Sequence, residues 1–177
     1  MILPDSFQSK RLNLRPPRLD DAQAMFNGYS QDPEVTKYLI WRPHSSIEDT
    51  LAFLKMALLE LESGNACHYV IERKGDGQLM GTFSLELKGS EALFGFAIGK
   101  PYWGQGYVSE ALKAVLDWTM AQEGIRRAYA TCDVDNLASA RVMEKAGMKL
   151  EGRLPKHALH PNIGDERRDS FLYSIQK

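Results

Sequence analysis

The sequence predicts an α/β fold, of the α+β kind, with helices packed on the faces of a central sheet. Strand-like and helix-like segments alternate through the middle of the chain, as strand–helix–strand–helix–strand, which is typical of this class. The length of 177 residues is that of one ordinary domain. No linker rich in Pro, Gly or Ser and no internal repeat divides the chain. We therefore expect a single domain over residues 1–177.

The first half of the chain contains a predicted strand and two helices, followed by three strands. Leucines that alternate with polar residues over residues 12–14 predict the first strand. Asp20-Asp21 caps a short helix over residues 22–29, and Ser46 begins a longer helix that ends at Gly64. The three strands are predicted at residues 68–72, 79–87 and 93–99.

The second half continues the alternation. Apolar residues at helical spacing predict a helix over residues 108–119, which Gly124 ends. A strand over residues 127–134 follows, and then a short helix over residues 138–145 with Gly147 as its C-terminal cap. The last strands are predicted at residues 150–154 and 171–175.

Composition and charge exclude several classes of function. The 22 Lys and Arg residues oppose 23 Asp and Glu residues, so a net charge of −1 supplies no overall field for nucleic acid or an anionic membrane. No apolar stretch reaches the roughly 18 residues of a membrane span. The first five residues do not have the pattern of a signal peptide. Cys67 and Cys132 are too few for a disulfide framework or a four-ligand zinc site. We expect a cytoplasmic protein with no metal, nucleic-acid or membrane partner.

A glycine-containing loop at residues 101–110 joins a predicted strand to a predicted helix. Gly104 and Gly106 let the backbone approach a ligand closely. The helix that follows directs unpaired amide N–H groups and the positive end of its dipole at the loop, an arrangement that binds phosphate or pyrophosphate. A tight turn that binds nothing would have the same glycines. The spacing is neither the dinucleotide-binding G-x-G-x-x-G nor a Walker loop.

A second polar segment covers residues 135–148, where a predicted strand gives way to a helix. The amide of Asn136 can form hydrogen bonds with a ligand that itself carries amides. Ser139 places a hydroxyl at the helix start, and Arg141 is a natural partner for phosphate. Asn136 and Ser139 are also residue types that cap helices, so capping alone is the alternative interpretation.

Together, these two segments resemble the GNAT superfamily of acetyl-CoA-dependent N-acetyltransferases, and most of all its ribosomal-protein N-terminal acetyltransferase (RimJ/RimL-type) branch. The resemblance covers nearly the whole chain and rests on six segments in the family's order. They are an opening strand (11–15), a substrate-side segment (32–39), a third strand (79–84), a coenzyme loop (102–107), the segment 136–148 and a closing strand (167–174).

The resemblance implies a mixed, mostly antiparallel sheet that splays between its fourth and fifth strands, here residues 93–99 and 127–134, with helices on both faces. Acetyl-CoA, as the co-substrate, inserts its pantetheine arm into the gap like an extra strand. The residues that the resemblance assigns to coenzyme binding are Ile98, Gln105, Gly106, Val108, Ser109, Asn136 and Arg141. Four of them, at positions 105, 106, 108 and 109, bind the pyrophosphate through backbone N–H groups.

Two positions depart from the family pattern in the coenzyme loop. Trp103 stands where many relatives have Gln or Arg, and Val108 stands where they have Gly or Ala. The backbone amides do the binding, so that part of the mechanism survives both changes. A side-chain contact to phosphate is not expected from Trp103.

The chemistry needs a proton acceptor, because a typical amine is protonated near pH 7 and only a neutral amine attacks a thioester. Many relatives carry Glu where this sequence has Leu93. The candidates to replace it are Glu86, His157 and His160, and deprotonation through ordered water without a dedicated base is an equal alternative. The two histidines are expected in a loop at residues 156–162. By resemblance, Ser139 donates a proton or hydrogen bond to the departing thiolate, and a backbone N–H near Ile98 stabilises the oxyanion.

The sequence thus predicts an N-acetyltransferase that acetylates a primary amine by direct attack in a ternary complex. The acceptor is a protein N-terminus, as on ribosomal proteins, or a small amine. By resemblance, residues 41–44 help to form the acceptor wall, and a tryptophan that only packs in its loop is the alternative interpretation of Trp41. The protein is expected as a monomer or homodimer. A non-catalytic acyl-CoA-binding or sensing module of the same fold is the alternative. A phosphate-binding nucleotide enzyme is disfavoured because no cluster of metal-ligand carboxylates accompanies the glycines, and a covalent acyl-cysteine because nothing nearby activates a thiolate.

Overall fold

The computed structural model describes residues 3–64 and 66–177, and it shows a mixed, mostly antiparallel sheet of eight strands within them. The strands are β1 (Phe7–Gln8), β2 (Leu12–Arg15), β3 (Ala66–Arg73), β4 (Leu79–Lys88), β5 (Glu91–Ile98), β6 (Arg127–Asp133), β7 (Lys149–Leu159) and β8 (Arg167–Gln176). Their order across the sheet is β1-β2-β3-β4-β5-β6-β8-β7. Only β5 and β6 are parallel neighbours among these strands. Met1 and Ile2, which open the stretch tested for a signal peptide, lie outside the described residues.

Helices cover both faces of the sheet, as predicted. They are α1 (Ala22–Met25), which a π-helical turn continues over Phe26–Ser30, α2 (Pro33–Thr36), α3 (Ile47–Ser63), α4 (Tyr107–Ala121) and α5 (Leu137–Lys145). Gly64 and Gly147 end α3 and α5 with positive φ angles of 74° and 97°, which confirms both predicted stops. α4 ends at Ala121, before the predicted stop at Gly124. No helix in the described part of the chain is long and apolar enough to cross a membrane.

The sequence was least informative for the short elements and for the last two strands. β1 and α2 are too short to show a hydrophobic period, so the sequence does not predict them. β7 and β8 are much longer than the predicted strands at residues 150–154 and 171–175. The sequence underpredicts β7 because most of that strand is exposed and its apolar residues do not alternate. The expected loop at residues 156–162 is wrong in its first part: β7 continues to Leu159, so His157 lies on a strand.

Side chains from the middle of the sheet form the core beneath α4 and α5. Phe83, Leu85 and Phe94 are almost fully buried on this face, and Leu112 and Leu116 of α4 pack in the same cluster. Even-numbered residues of β6, such as Ala130 and Cys132, belong to it as well. Because strand side chains alternate between faces, the odd-numbered residues of β6 project to the opposite side.

The opposite face of the sheet is covered by α1 and α3. Met25 and Leu54 are buried there against Val70 of β3. Thr82 of β4 lies on the same face, where its Oγ1 accepts a hydrogen bond of 3.3 Å from the hydroxyl of the buried Tyr29. A polar contact therefore reaches the sheet on the α1 and α3 side.

Gly81 tests how tightly β4 and β5 are packed. A Cβ at this position would lie 2.1 Å from the carbonyl oxygen of Ala97 and 2.8 Å from Cα of Ile98, and backbone atoms cannot move aside cheaply. We expect Gly81→Ala to lower the free energy of unfolding by about 3 kcal/mol, a value at the upper end of ordinary overpacking. Chemical denaturation measures this. Gly152→Ala is the control, because a Cβ there meets nothing within 4 Å, and equal stability of the two variants would contradict the expectation.

Candidate active site

The two parallel strands β5 and β6 pair only at their beginnings and then separate. Beyond Leu93, β5 stays bound to β4 as far as Ile98, and β6 stays bound to β8 as far as Asp133. The sheet therefore opens into a V-shaped gap, here called the fork, with residues 94–98 and 130–133 as its edges. The splay predicted between residues 93–99 and 127–134 is confirmed. The paired residues are Glu91 with Arg127, Ala92 with Ala128, and Leu93 with Tyr129.

The closed end of the fork is fixed by Arg127. Its guanidinium forms ion pairs of 2.8 Å with Glu91 and 2.5 Å with Glu151, and it lies 4.8 Å from the ring centre of Tyr129. The hydrogen bonds from Arg127, and then from Ser174, lower the pKa of Glu151 to about 2. Arg127 thereby links β5, β6 and β7 at the point where the parallel pairing begins.

The coenzyme loop has the geometry of an anion cradle at the open end of the fork. Gly104 and Gly106 have φ angles of 73° and 77°, which strongly favour glycine. α4 begins directly after Gly106, so its first N–H groups have no acceptor within the helix. Within the described part of the chain, no hydrogen bond uses the amide N–H of Gln105, Gly106, Val108 or Ser109. These amides are available to a phosphate group, and the helix dipole favours one there.

Arg11 braces this loop from the N-terminal strand region. The carboxylate of Glu110, in the first turn of α4, accepts hydrogen bonds from the amide and Nε of Arg11 at 2.8 and 2.6 Å, and from Ser9 Oγ at 2.6 Å. Arg11 Nη1 also donates to the carbonyl of Gln105 at 3.1 Å, and the guanidinium lies 4.3 Å from the ring centre of Tyr107. The sequence does not predict this role for Arg11 or Glu110, since the two residues are 99 positions apart and no local pattern pairs them.

The carboxylate of Glu110 is held in its ionised form. Burial alone would raise the pKa of Glu110, but the hydrogen bonds from Ser9 and from the amide and guanidinium of Arg11 outweigh it and lower that pKa. The contact is therefore an ion pair at neutral pH. The positive charge of Arg11 thereby compensates the negative charge of Glu110 beside the loop.

Trp103 and Ile98 occupy the junction between β5 and the loop. The indole Nε1–H of Trp103 donates to the carbonyl of Ile98 at 2.8 Å, while the side chain remains 45% exposed. This hydrogen bond fixes the indole to the end of β5. Ile98 lies five residues from Leu93, or roughly 16 Å along the strand. It therefore stands at the open end of the fork rather than at its closed end.

The second predicted segment begins α5, directly after β6. Asn136 caps the helix, because its Oδ1 accepts a hydrogen bond of 3.2 Å from the amide of Ser139. Its side-chain NH₂ group forms no hydrogen bond within the described residues. Ser139 is half-buried, and Arg141 is exposed with no ion pair to any described residue. The structure thus shows the capping role of Asn136 and leaves its donors available.

Cys132 does not have the properties of a covalent nucleophile. Burial raises the pKa of its thiol to about 11, and the hydrogen bond with Ser139 opposes this only in part. Burial likewise raises the pKa of Cys67 to about 11. Both thiols are therefore protonated at neutral pH, which agrees with a direct attack on the thioester.

The three candidate bases lie in different places. Glu86 is directly across from Leu93 on β4, on the face covered by α3; its carboxylate is 41% exposed and 3.0 Å from Lys88 Nζ. His157 is exposed on β7, which β8 separates from β6. His160 follows β7 and is only 4% exposed. The structure does not bring Glu86 and His157 together. In residues 3–64 and 66–177, no group of three His, Cys, Asp or Glu side chains could hold a metal ion.

Comparisons with known proteins agree with this geometry. A sequence model of the acetyltransferase (GNAT) domain matches residues 11–149. YoaA of Bacillus subtilis strain 168, an uncharacterized N-acetyltransferase, is 30% identical over 173 residues, which cover 96% of both chains. A crystal structure of a GNAT-family acetyltransferase from Bacillus anthracis has a TM-score of 0.84 at 28% identity, over 97% of this chain and 98% of that one. RimL, a ribosomal-protein alpha-N-acetyltransferase solved with coenzyme A, shares the fold with a TM-score of 0.82 at 24% identity, over 99% and 98%.

The brace on the loop can be tested by removing Arg11. We expect Arg11→Ala to weaken the binding of coenzyme A about tenfold, because the loop is then not preorganised in the free protein and must be ordered when the ligand binds. Isothermal titration calorimetry measures the affinity. Lys10→Ala is the matched control: it removes the same charge from an exposed neighbour for which no contact with the loop is seen in the structure. An equal loss in both variants would show that charge alone, and not the brace, matters.

Proposed function

The chain belongs to the GNAT acetyltransferase family, and we propose that it transfers the acetyl group of acetyl-CoA to a primary amine by direct attack in a ternary complex. One observation carries the proposal: the fork opens beside the row of unused amides at the start of α4. Acetyl-CoA needs both features, since its pyrophosphate is an anion and its pantetheine arm is an extended chain with two amides. The fork edges offer strand-like backbone for such an arm.

The coenzyme enters the fork at its open end. The N–H groups of Gln105, Gly106, Val108 and Ser109 bind the pyrophosphate. The free NH₂ of Asn136 contacts the pantetheine arm, and the exposed Arg141 reaches a coenzyme phosphate. The backbone of β5 from Ile98 inwards lies along the arm and supplies an N–H to the oxyanion.

The reaction then follows from the position of the thioester in the fork. A neutral amine forms the C–N bond, negative charge collects on the carbonyl oxygen, and the C–S bond breaks with its electron pair on sulfur. Ser139, beside Cys132 on the α5 side of the sheet, gives the thiolate its proton. No acyl-cysteine forms, because the thiols of the chain are protonated.

The acceptor is a primary amine, either a protein N-terminus, ribosomal proteins included, or a small molecule. The name of RimL, which shares this fold, supports a protein N-terminus. Residues 36–44 border the acceptor side, and Asn162 ties them to the turn after β7 through hydrogen bonds to the carbonyls of Thr36 and Trp41, at 2.7 and 2.8 Å. We propose that the reaction takes place in the cytoplasm, in a monomer or homodimer that is a single domain.

A sensing module that binds acyl-CoA without transferring it is the second candidate. The sensing module is favoured by Leu93, which places an apolar side chain at the fork where many relatives carry a carboxylate. Against it, Glu86 is the direct cross-strand neighbour of Leu93, so a carboxylate is present one strand away. The two functions differ in whether an amine releases thiol from bound acetyl-CoA.

Binding and turnover measurements test the proposal. We expect calorimetry to show binding of acetyl-CoA and coenzyme A but not of ATP, because the fork fits the pantetheine arm and ATP has none. We expect thiol release above background hydrolysis from a panel of peptides and small amines. Binding without thiol release from any acceptor would favour the sensing module. ATP binding without coenzyme A binding would contradict both candidates.

Ser139→Ala tests the leaving-group step. We expect turnover to fall by about 100-fold with little change in the affinity for acetyl-CoA, because proton transfer contributes on the order of 100-fold or more. Ser139→Thr keeps the hydroxyl and is the rescue variant. Unchanged turnover in Ser139→Ala would remove this role.

A further inference from the structure

His160 is a buried polar group that the fold leaves without a partner. Its side chain is 5% exposed, and neither Nδ1 nor Nε2 forms a hydrogen bond with any described residue. A buried polar atom without a hydrogen bond is unfavourable, so it calls for an explanation in a native protein. The geometry around His160 supplies one.

Asp133 is the charged group that faces the imidazole. Its carboxylate is fully buried at the end of β6, and its Oδ2 lies 3.7 Å from Nε2 of His160. Arg168 of β8 donates to Asp133 at 2.6 and 3.1 Å, and the amide of Asp135 donates at 2.9 Å. Burial opposes ionisation of Asp133, but the hydrogen bonds from Arg168 and Asp135 outweigh it and lower its pKa. A fixed carboxylate therefore stands beside Nε2.

The pair lies on the acceptor side of the fork. Asp133 is an odd-numbered residue of β6, so it projects to the face covered by α1 and α3, opposite Cys132 and Ser139. Two residues beyond His160, Asn162 fastens the turn to the carbonyls of Thr36 and Trp41. An imidazole on one side of the fork and a hydroxyl on the other would flank a thioester inserted between them.

We propose that His160 is the general base of the acetyl transfer, with Asp133 as the residue that orients it. This inference rests on the proposed function. The carboxylate of Asp133, 3.7 Å from Nε2, favours the neutral tautomer with its N–H at Nε2, which leaves the lone pair of Nδ1 as the proton acceptor. Glu86, which is half-buried and paired with Lys88, is not used as the base.

The steps balance in protons and electrons. The acceptor ammonium passes one proton to Nδ1, directly or across one water, and the amine lone pair forms the new C–N bond. The C–S bond breaks with its pair on sulfur, and the second amine proton replaces the one that Ser139 gives to the thiolate. The imidazolium, stabilised by Asp133, then releases its proton to solvent. The net products are the acetamide, coenzyme A thiol and one proton.

The test compares His160→Gln with the parent by thiol release and calorimetry. We expect turnover to fall by about 100-fold or more, as for the loss of a general base, with acetyl-CoA affinity unchanged. His68→Gln, on β3, is the matched control and should keep parent activity. The defect should be smaller for a peptide N-terminus, of pKa about 8, than for an alkylamine, of pKa about 10.4, because the less basic amine needs less help. A structural defect would lower both rates equally.

Several outcomes would overturn the assignment. Full activity in His160→Gln, or an equal defect with both amines, removes the base role while leaving the proposed function intact. A large loss in Glu86→Gln or His157→Gln with normal His160→Gln moves the base elsewhere. A parent that releases no thiol from any acceptor removes the proposed function and this role together.

The tautomer of His160 can be measured on the parent protein, which requires neither activity nor a His160 variant that folds. Nitrogen-15 NMR of the histidine rings reports which nitrogen carries the proton in the neutral form. We expect the Nε2–H tautomer for His160, with Nδ1 bare. The resonance is assigned by eliminating the signals of His44, His68 and His157 through single Gln variants. An Nδ1–H tautomer would overturn the proposal.

Discussion

The early end of the pairing between β5 and β6 is the constraint on which the site depends. Along its whole length β5 is paired with β4, and β6 is paired with β8. These neighbours hold β5 and β6 apart beyond Leu93 and Tyr129. The edges that remain carry backbone polar groups inside the protein, where unmet groups are costly. A ligand that enters the fork must therefore offer its own donors and acceptors, and this requirement selects amide-bearing chains over purely apolar ones.

The charges around the fork are used to hold backbone in place. Arg127 fixes the closed end, Arg11 braces the loop through Glu110, and Arg168 holds the carboxylate of Asp133. Each cation is neutralised by a nearby carboxylate, which agrees with a net charge of −1 for the chain. The binding of phosphate is therefore left to helix geometry and backbone N–H groups rather than to a surplus of positive side chains.

Local patterns in the sequence predicted the elements with strong caps and long apolar periods. α3 and α5 end at the predicted glycines, and both loop glycines have positive φ. The fork could be predicted only by resemblance, because no local pattern says that a strand pair stops after three residues. Contacts between distant positions could not be predicted for the same reason: nothing near Arg11 indicates Glu110, and nothing near His160 indicates that the fold buries it.

The loop amides have a consequence for how the chain can vary. Binding by main-chain N–H groups does not depend on the identity of the side chains, so positions 105 and 109 can be substituted in evolution while coenzyme affinity is retained. The residues that must be kept are the two glycines with left-handed backbone, Gly104 and Gly106, because a Cβ at either position causes conformational strain. Divergent homologues of this chain should thus be recognisable by the spacing of these two glycines, even when all the neighbouring residues differ.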